Sequence, residues 1–299
     1  MARSLADVLR FDPATGDLAA IDPRSTPGLP KAARADPKVW ARAQLPILGG
    51  ELFTEQEKLV ASAKTAGSRQ RVLMLIQAMD CGGKDGTIKH VVGEFNPQGV
   101  HIVAFGKPTP EELAHDFLWR IEKALPGPGQ VGVFNRSHYE DVLIVRVNGL
   151  VPARTWRARY DKINKFEARL VESGCALVKV MLHISYAEQR DRLSDRLQDP
   201  TKYWKYNPSD LDERRMWPAY QDAYNDALVK CGTEAAPWYV VPADRKWYRD
   251  WAVATLLLER FRALGLAYPP PDFDLDVERE RLAREAEATP RVDAKVNAG

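Results

Sequence analysis

The segment Arg71-Val-Leu-Met-Leu-Ile-Gln77 reads as a buried β-strand, and it ends directly in Ala78-Met-Asp-Cys-Gly-Gly-Lys-Asp-Gly-Thr87. Ile88-Lys-His-Val-Val-Gly-Glu-Phe95 then reads as a helix. A strand, a glycine-rich turn carrying a lysine, and a helix start together make a phosphate cradle. Backbone N–H groups of the turn and the positive end of the helix face the anion, and the lysine adds a full charge. The turn is a variant of G-x-x-x-x-G-K-[ST]: Ala78 replaces the first glycine and Asp85 the final hydroxyl residue, while Gly83 and Lys84 remain. The absent hydroxyl is the group that would touch Mg²⁺, so Asp80 and Asp85 are the local oxygen donors for a metal that prefers carboxylates, waters and phosphates. The competing reading is a strand–helix turn that binds nothing.

Strands and helices alternate beyond this turn. Val100–Phe105, Gln130–Phe134, Ala176–Ile184 and Trp238–Pro242 read as further strands. Helices are expected over about 54–66, entered by a Thr54/Glu57 capping box, and over 110–125, 155–172 and 245–264. The rhythm implies a three-layer α/β/α fold, a parallel five-stranded sheet covered on both faces. Residues 1–50, broken by Asp22-Pro-Arg-Ser-Thr-Pro-Gly-Leu-Pro30, read as an extended N-terminal arm. Residues 51–268 read as the catalytic domain, with a helical lid at about 186–216. Residues 269–299 read as a tail, with a solvated helix over 274–288 and ten fraying residues at its end.

Composition limits the partners. The formal net charge is +2 over 299 residues, so no strong global attraction to nucleic acid is expected, and any basic site must be local. No apolar run approaches membrane-spanning length, and no signal pattern opens the chain. Cys81, Cys175 and Cys231 lie far apart without metal-type spacing, which fits a reducing cytoplasm. Cys81, inside the turn, is either oxidation-sensitive or a small filler. His115, His138 and His183 show no zinc-ligand spacing and read as structural, and Trp119, Trp156 and Trp251 read as core.

In a parallel sheet ligands gather at the carboxyl ends of the strands. The third strand ends in Asn135-Arg-Ser-His-Tyr-Glu-Asp141. Arg136 suits phosphate because its fork binds two oxygens. Asn135, where many phosphate-loop enzymes place a metal-binding Asp, is a poor Mg²⁺ ligand, which leaves the metal to Asp80. The alternative is that Asn135 and Arg136 cap the next helix. Glu140 and Asp141 either tie down Arg136 or orient the metal shell. After the fourth strand, Arg192 and Arg196 share one helix face, with Lys205 and an aromatic cluster (Tyr203, Trp204, Tyr206, Trp217, Tyr220, Tyr224) close by. Most of those aromatics are expected to pack the lid onto the body. The expected catalytic groups are Asp80, Lys84 and Arg136. Phosphate contacts are expected from Gly82, Gly83, Lys84, Asp85, Gly86, Thr87, Arg136, Ser137, Arg192, Arg196 and Lys205, and nucleotide contacts from Asn135 and Glu140. No strong general base is evident, which favours an already ionised phosphate as acceptor over a sugar hydroxyl.

Several segments, in order, resemble the polyphosphate kinase 2 family: Gln77–His90, Asn96-Pro-Gln-Gly99, His115-Asp-Phe-Leu-Trp-Arg120, Phe134–Val142, Trp204-Lys205 and Ala236–Trp247. The likeness runs from about residue 20 to 270. It implies a thymidylate-kinase-like P-loop kinase fold with a lid. It also implies Mg²⁺-dependent (or Mn²⁺-supported) reversible transfer between inorganic polyphosphate and AMP, ADP or ATP, and a homo-oligomer, dimer or tetramer. Asp80, Lys84, Arg136, Arg192 and Arg196 match the family's loop and lid residues. Asn135 departs from the Asp of much of the family and is similar to the class III subgroup, which uses both AMP and ADP. An ATP-dependent nucleoside or nucleoside-monophosphate kinase, and a non-catalytic polyphosphate-binding protein, are the competing functions.

Overall fold

The computed structural model describes residues 3–287, which fall into two units divided after Ala267. Within the first, the chain runs through α1 (Leu5–Leu9), α2 (Pro37–Ala66), β1 (Arg71–Ala78), α3 (Lys84–His90), β2 (Val100–Ala104), α4 (Pro110–Leu113), α5 (Trp119–Lys123) and β3 (Val131–Asn135). It continues through α6 (Ile144–Val147), α7 (Ala153–Glu172), β4 (Cys175–His183), α8 (Tyr186–Gln198), α9 (Ser209–Arg215), α10 (Trp217–Cys231), β5 (Trp238–Pro242) and α11 (Lys246–Arg262). The five strands form one parallel sheet in the order β2-β3-β1-β4-β5, as the alternating sequence pattern implied.

β1 lies at the centre. Val72, Leu73, Met74, Leu75 and Ile76 are all buried, the signature of a strand covered on both faces. That is why its sequence is a continuous apolar run rather than an alternation. β2, at one edge, is half-exposed. At the other edge, Arg10 bridges antiparallel to Tyr239 and Phe11 N–H donates to the Trp238 carbonyl (2.9 Å), so the N-terminal segment lies along β5. Leu5, Leu9, Phe11 and Leu18 are buried in the main core. The backbone N–H groups of Leu5 and Ala6, at the free start of α1, donate to the Glu259 carboxylate of α11 at 2.9 and 2.7 Å.

Three helix expectations need correction. The helix expected from residue 54 begins at Pro37, where the Asp36 side chain accepts from Val39 N–H (3.0 Å). Thr54 is no cap: its hydroxyl donates to the Gly50 carbonyl within the same helix. Much of the supposed extended arm is therefore helical. Pro46 inside α2 removes one backbone bond, a cost of about 3 kcal/mol that packing along α11 offsets. The expected helix 110–125 is two short helices. Between them the Asp116 side chain accepts from Leu118 N–H (3.1 Å), a local bond that competes with helix continuation. Third, the helix after the glycine turn starts at Lys84, ends at His90, and is followed by a 3₁₀ turn, Val92–Glu94.

The second unit contains α12 (Leu275–Glu287), an exposed helix with short-range ion pairs such as Arg281–Glu278. Ala288 and the expected fraying end lie outside the described residues.

Candidate active site

The site is built from the carboxyl ends of β1 and β3, closed over by α8, the 3₁₀ turn Pro200–Lys205 and α9. After Ala78 the chain turns tightly: Gly82 N–H donates to the Met79 carbonyl (2.9 Å). Gly83 has φ +105°, open to glycine and costly for other residues, and Cys81 is left-handed at φ +64°. No side chain caps the start of α3, so helical geometry leaves the first-turn N–H groups, those of Lys84, Asp85 and Gly86, without intrahelical acceptors. These residues front a cavity of about 380 Å³. Lys84 folds back over the loop, its Nζ donating to the Ala78 carbonyl (3.0 Å) and more weakly to that of Met79. Burial presses its pKa below the ordinary lysine value, opposed by Asp80.

Arg136 takes a left-handed backbone (φ +65°) directly after β3, pinned by its N–H to the Ile76 carbonyl (3.1 Å). A non-glycine residue held there marks a segment whose surroundings over-determine it. Its guanidinium lies between Asp80 (Nη2–Oδ1 3.0 Å) and Glu140 (Nη1–Oε2 3.8 Å). Glu140 thus does tie down Arg136. Burial raises the Glu140 carboxyl pKa, with Arg136 and Lys84 opposing. Asn135 Nδ2 donates to Asp85 Oδ1 (2.9 Å), joining the end of β3 to the loop. The residue that caps the next turn is Ser137, which accepts from Tyr139 N–H, rather than Asn135 or Arg136.

Lys84, Arg136, Arg192, Arg196, Lys202, Lys205 and Lys246 line the cavity against Asp80, Asp85, Asp195 and Asp210, so its walls favour an extended anion. Gly82, Gly83, Gly86 and Asn135 also line it. Ser137 and Thr87 do not: both are fully buried, and the Ser137 hydroxyl meets the Gln77 amide at 3.1 Å. Glu140 instead borders a recess of about 30 Å³ beside Asp80 and Arg136, walled by Tyr220 and Tyr224.

The two expected lid arginines differ. Arg192 is buried and committed: Nε to Glu188 (2.8 Å), Nη1 to the Cys81 carbonyl (2.8 Å), Nη2 to the Ala243 and Asp244 carbonyls (2.6 and 3.2 Å). It fastens α8 to the loop and to the β5–α11 turn. Gln189 adds a second tie, its Nε2 donating to the Asp80 carbonyl (2.9 Å). Among the described residues Arg196 is held by the Lys205 carbonyl and Asp210, at the cavity wall. Tyr220 and Tyr224 pack inward as expected, but Tyr203 and Trp204 are exposed, Trp204 at 78%. Of the tryptophans expected in the core, Trp251 is buried while Trp119 and Trp156 are half-buried.

Burial pushes the Cys81 thiol up to about 11, so it stays protonated and suits the filler reading. Among the described residues no cluster of three or more His, Cys, Asp or Glu could hold a metal by itself. His138 and His183 are buried, and His138 Nε2 lies 3.2 Å from Glu167; His115 is exposed and stacks on Trp119. Sequence reasoning missed Lys246, which lines the cavity. Lys246 follows the last strand, a strand-end position that could have flagged it.

Residues 48–264 match the polyphosphate kinase 2 family. An AMP/ADP-polyphosphate phosphotransferase of Meiothermus ruber is 47% identical over 235 residues, 79% of this chain and 86% of that protein. An ADP-polyphosphate phosphotransferase of Rhodopseudomonas palustris is 43% identical over 216 residues, 68% of this chain and 75% of that protein. The crystal structure of polyphosphate kinase 2 from Arthrobacter aurescens superposes with a TM-score of 0.90 at 49% identity, covering 95% of this chain and 98% of that one.

Proposed function

The chain belongs to the polyphosphate kinase 2 family, and on that premise we propose that it moves phosphoryl groups between inorganic polyphosphate and adenine nucleotides, forming ADP from AMP and ATP from ADP. The observation that carries this is the cavity of about 380 Å³ at the ends of β1 and β3, where Lys84 and Arg136 stand beside Asp80 and further cations line the wall. The dual acceptor use follows the name of the Meiothermus relative.

In this reading Lys84 and the amides of the β1–α3 loop hold the phosphates at the transfer point. Arg136, aimed by Asp80 and Glu140, takes two oxygens of the transferred group. Arg196, Lys202, Lys205 and Lys246 hold the rest of the polyphosphate. The segment 186–216 acts as a lid that excludes water and so suppresses hydrolysis. Arg192 contributes by fastening that lid to the loop. The acceptor is a nucleotide phosphate, already largely ionised, so alignment and charge neutralisation suffice without a general base. The acceptor nucleotide lies beside Asn135, while Glu140 acts on it through Arg136.

Mg²⁺ fits this donor set. Asp80 and Asp85 present carboxylates at the mouth of the loop, and a metal that keeps waters and takes phosphate oxygens needs no all-protein cage. Asp80 would be its principal ligand. When bound, the ion neutralises phosphate charge. Mn²⁺ satisfies the same oxygens. We infer a cytoplasmic enzyme from the scattered free cysteines, and a dimer or tetramer from the family resemblance alone. No helix among the described residues is long and apolar enough to cross a membrane.

The test is incubation with long-chain polyphosphate and Mg²⁺ plus AMP or ADP, without ATP, followed by nucleotide separation. ATP from ADP, and ADP then ATP from AMP, is the expected result. Product from ADP alone would narrow the acceptor. Product only when ATP is supplied would replace the reading with an ordinary nucleotide-dependent kinase.

A further inference from the structure

Two consecutive residues of α11, Arg249 and Asp250, lie directly behind the glycine-rich loop. Arg249 is 2% exposed, and its guanidinium is pressed against the loop backbone. A Cβ added to Gly83 would meet Arg249 Nη1 at 2.1 Å, and one added to Gly86 would meet Nη2 at 2.8 Å. Gly86 is informative because its φ is not positive and it sits inside α3. Alanine there would favour the helix by about 1 kcal/mol, so what crowds this position is the guanidinium and not the backbone. Arg249 Nε and Nη2 both donate to Asp250 Oδ1, at 2.9 and 2.6 Å. Asp250 Oδ2 lies 3.0 Å from Nδ1 of His90, the last residue of α3. The pair therefore grips both ends of α3, with a cation under its first turn and a carboxylate at its last.

Gly83 and Gly86 line the cavity on their other side. One layer of backbone thus separates a buried cation from the place where phosphate is proposed to sit. We propose that Arg249 is a positioning cation that sets the loop's affinity for polyphosphate, and that Asp250 partly neutralises it so that the chain can leave after transfer. This rests on the reading of the loop as the phosphate site.

A unit charge about 7 Å from an anion, at an effective dielectric of about 30, changes affinity about tenfold. The sign separates this role from simple packing. Arg249→Met keeps the stem and removes the charge. Asp250→Asn keeps the shape and leaves the charge uncompensated. If the pair were only a structural brace, both changes would weaken binding.

The experiment measures binding of long-chain inorganic polyphosphate to the full chain by titration calorimetry at fixed ionic strength, with kcat and KM in parallel. Arg249→Met is expected to weaken binding about tenfold, and Arg249→Lys, which retains charge, to stay within about threefold. Asp250→Asn is expected to tighten binding several-fold while lowering kcat, because release slows. Losses of similar size in Arg249→Met and Asp250→Asn, or no change in either, would overturn the proposal. If one of these fails to fold, the sign of the other decides; if both fail, a tenfold loss in Arg249→Lys overturns it. Wild-type protein that binds no polyphosphate would remove the site reading as well, whereas wild-type binding with same-sign variants removes only this inference.

Discussion

Lys179 lies mid-strand in β4, fully buried, and its ammonium has three acceptors: Glu167 Oε2 (2.6 Å), the Tyr139 hydroxyl (2.9 Å) and the Cys231 carbonyl (2.6 Å). Lys179→Met preserves the length and apolar stem and deletes the charge. Glu167, equally buried, then keeps only the Tyr139 hydroxyl (2.7 Å) and His138 Nε2 (3.2 Å). Stranding one partner of a buried pair costs about 3–5 kcal/mol. At roughly 2–4 °C per kcal/mol for a domain approaching this size, Tm should fall by about 10 °C. Adding Glu167→Gln removes the stranded charge and should recover about 2 kcal/mol or more, read as a coupling energy from urea unfolding of the two single variants and the double. A loss below about 1 kcal/mol in Lys179→Met, or simple additivity in the double, would refute the argument. The acid limb offers a second check. Burial pushes the Glu167 carboxyl up, but Lys179 and His138 outweigh it and hold it below its ordinary value of 4.5. Its stabilising contribution is therefore complete above about pH 4.5 and lost as pH falls through the lower folded value, so Glu167→Gln should flatten that part of the stability profile.

Lys84→Ala should reduce transfer at least about 100-fold with little change in Tm, and retention of near-normal turnover would remove Lys84 from the site. Arg196→Ala should raise KM for polyphosphate several-fold and leave that for the nucleotide nearly unchanged, whereas Arg192→Ala should lower Tm and depress turnover with every substrate; steady-state kinetics beside thermal melts distinguish them. Burial holds the Glu140 carboxyl above its ordinary value, so the stability it confers is present at low pH and lost as pH rises. Glu140→Gln should accordingly melt higher than wild type near pH 8, with the difference vanishing towards pH 4.

The strands were legible because a parallel, doubly covered sheet writes itself as apolar runs, and Trp238–Pro242 coincides with its strand to the residue. The start of α2 was not, because Thr54 and Glu57 imitate a capping box while Pro46 looks like a helix breaker; only the packing of α2 along α11 resolves both. The loop and Arg136 were visible from residue type and strand-end position. Arg192 was visible as a charge but not as a fastener, since its acceptors are mostly backbone carbonyls contributed by residues 81, 243 and 244. Arg249 was invisible for a related reason: in Trp247-Tyr-Arg-Asp-Trp251 it reads as one more charge on a helix, and only the fold brings it behind two glycines.

The strip of chain laid along β5 bears on where this protein can be cut. A strand at the margin of a sheet offers unpaired N–H and C=O groups to any other strand it meets, and proteins commonly shield such margins. Here the shield is supplied by residues 5–11, all upstream of residue 48, where the family match begins. A fragment trimmed to the matched region would retain every residue of the proposed site. It would also uncover a hydrophobic strand margin and the apolar surface that Leu5, Leu9 and Phe11 occupy. Such a fragment should self-associate, detectable by light scattering, so residues that lie outside the family match would govern whether the matched region stays monomeric on its own.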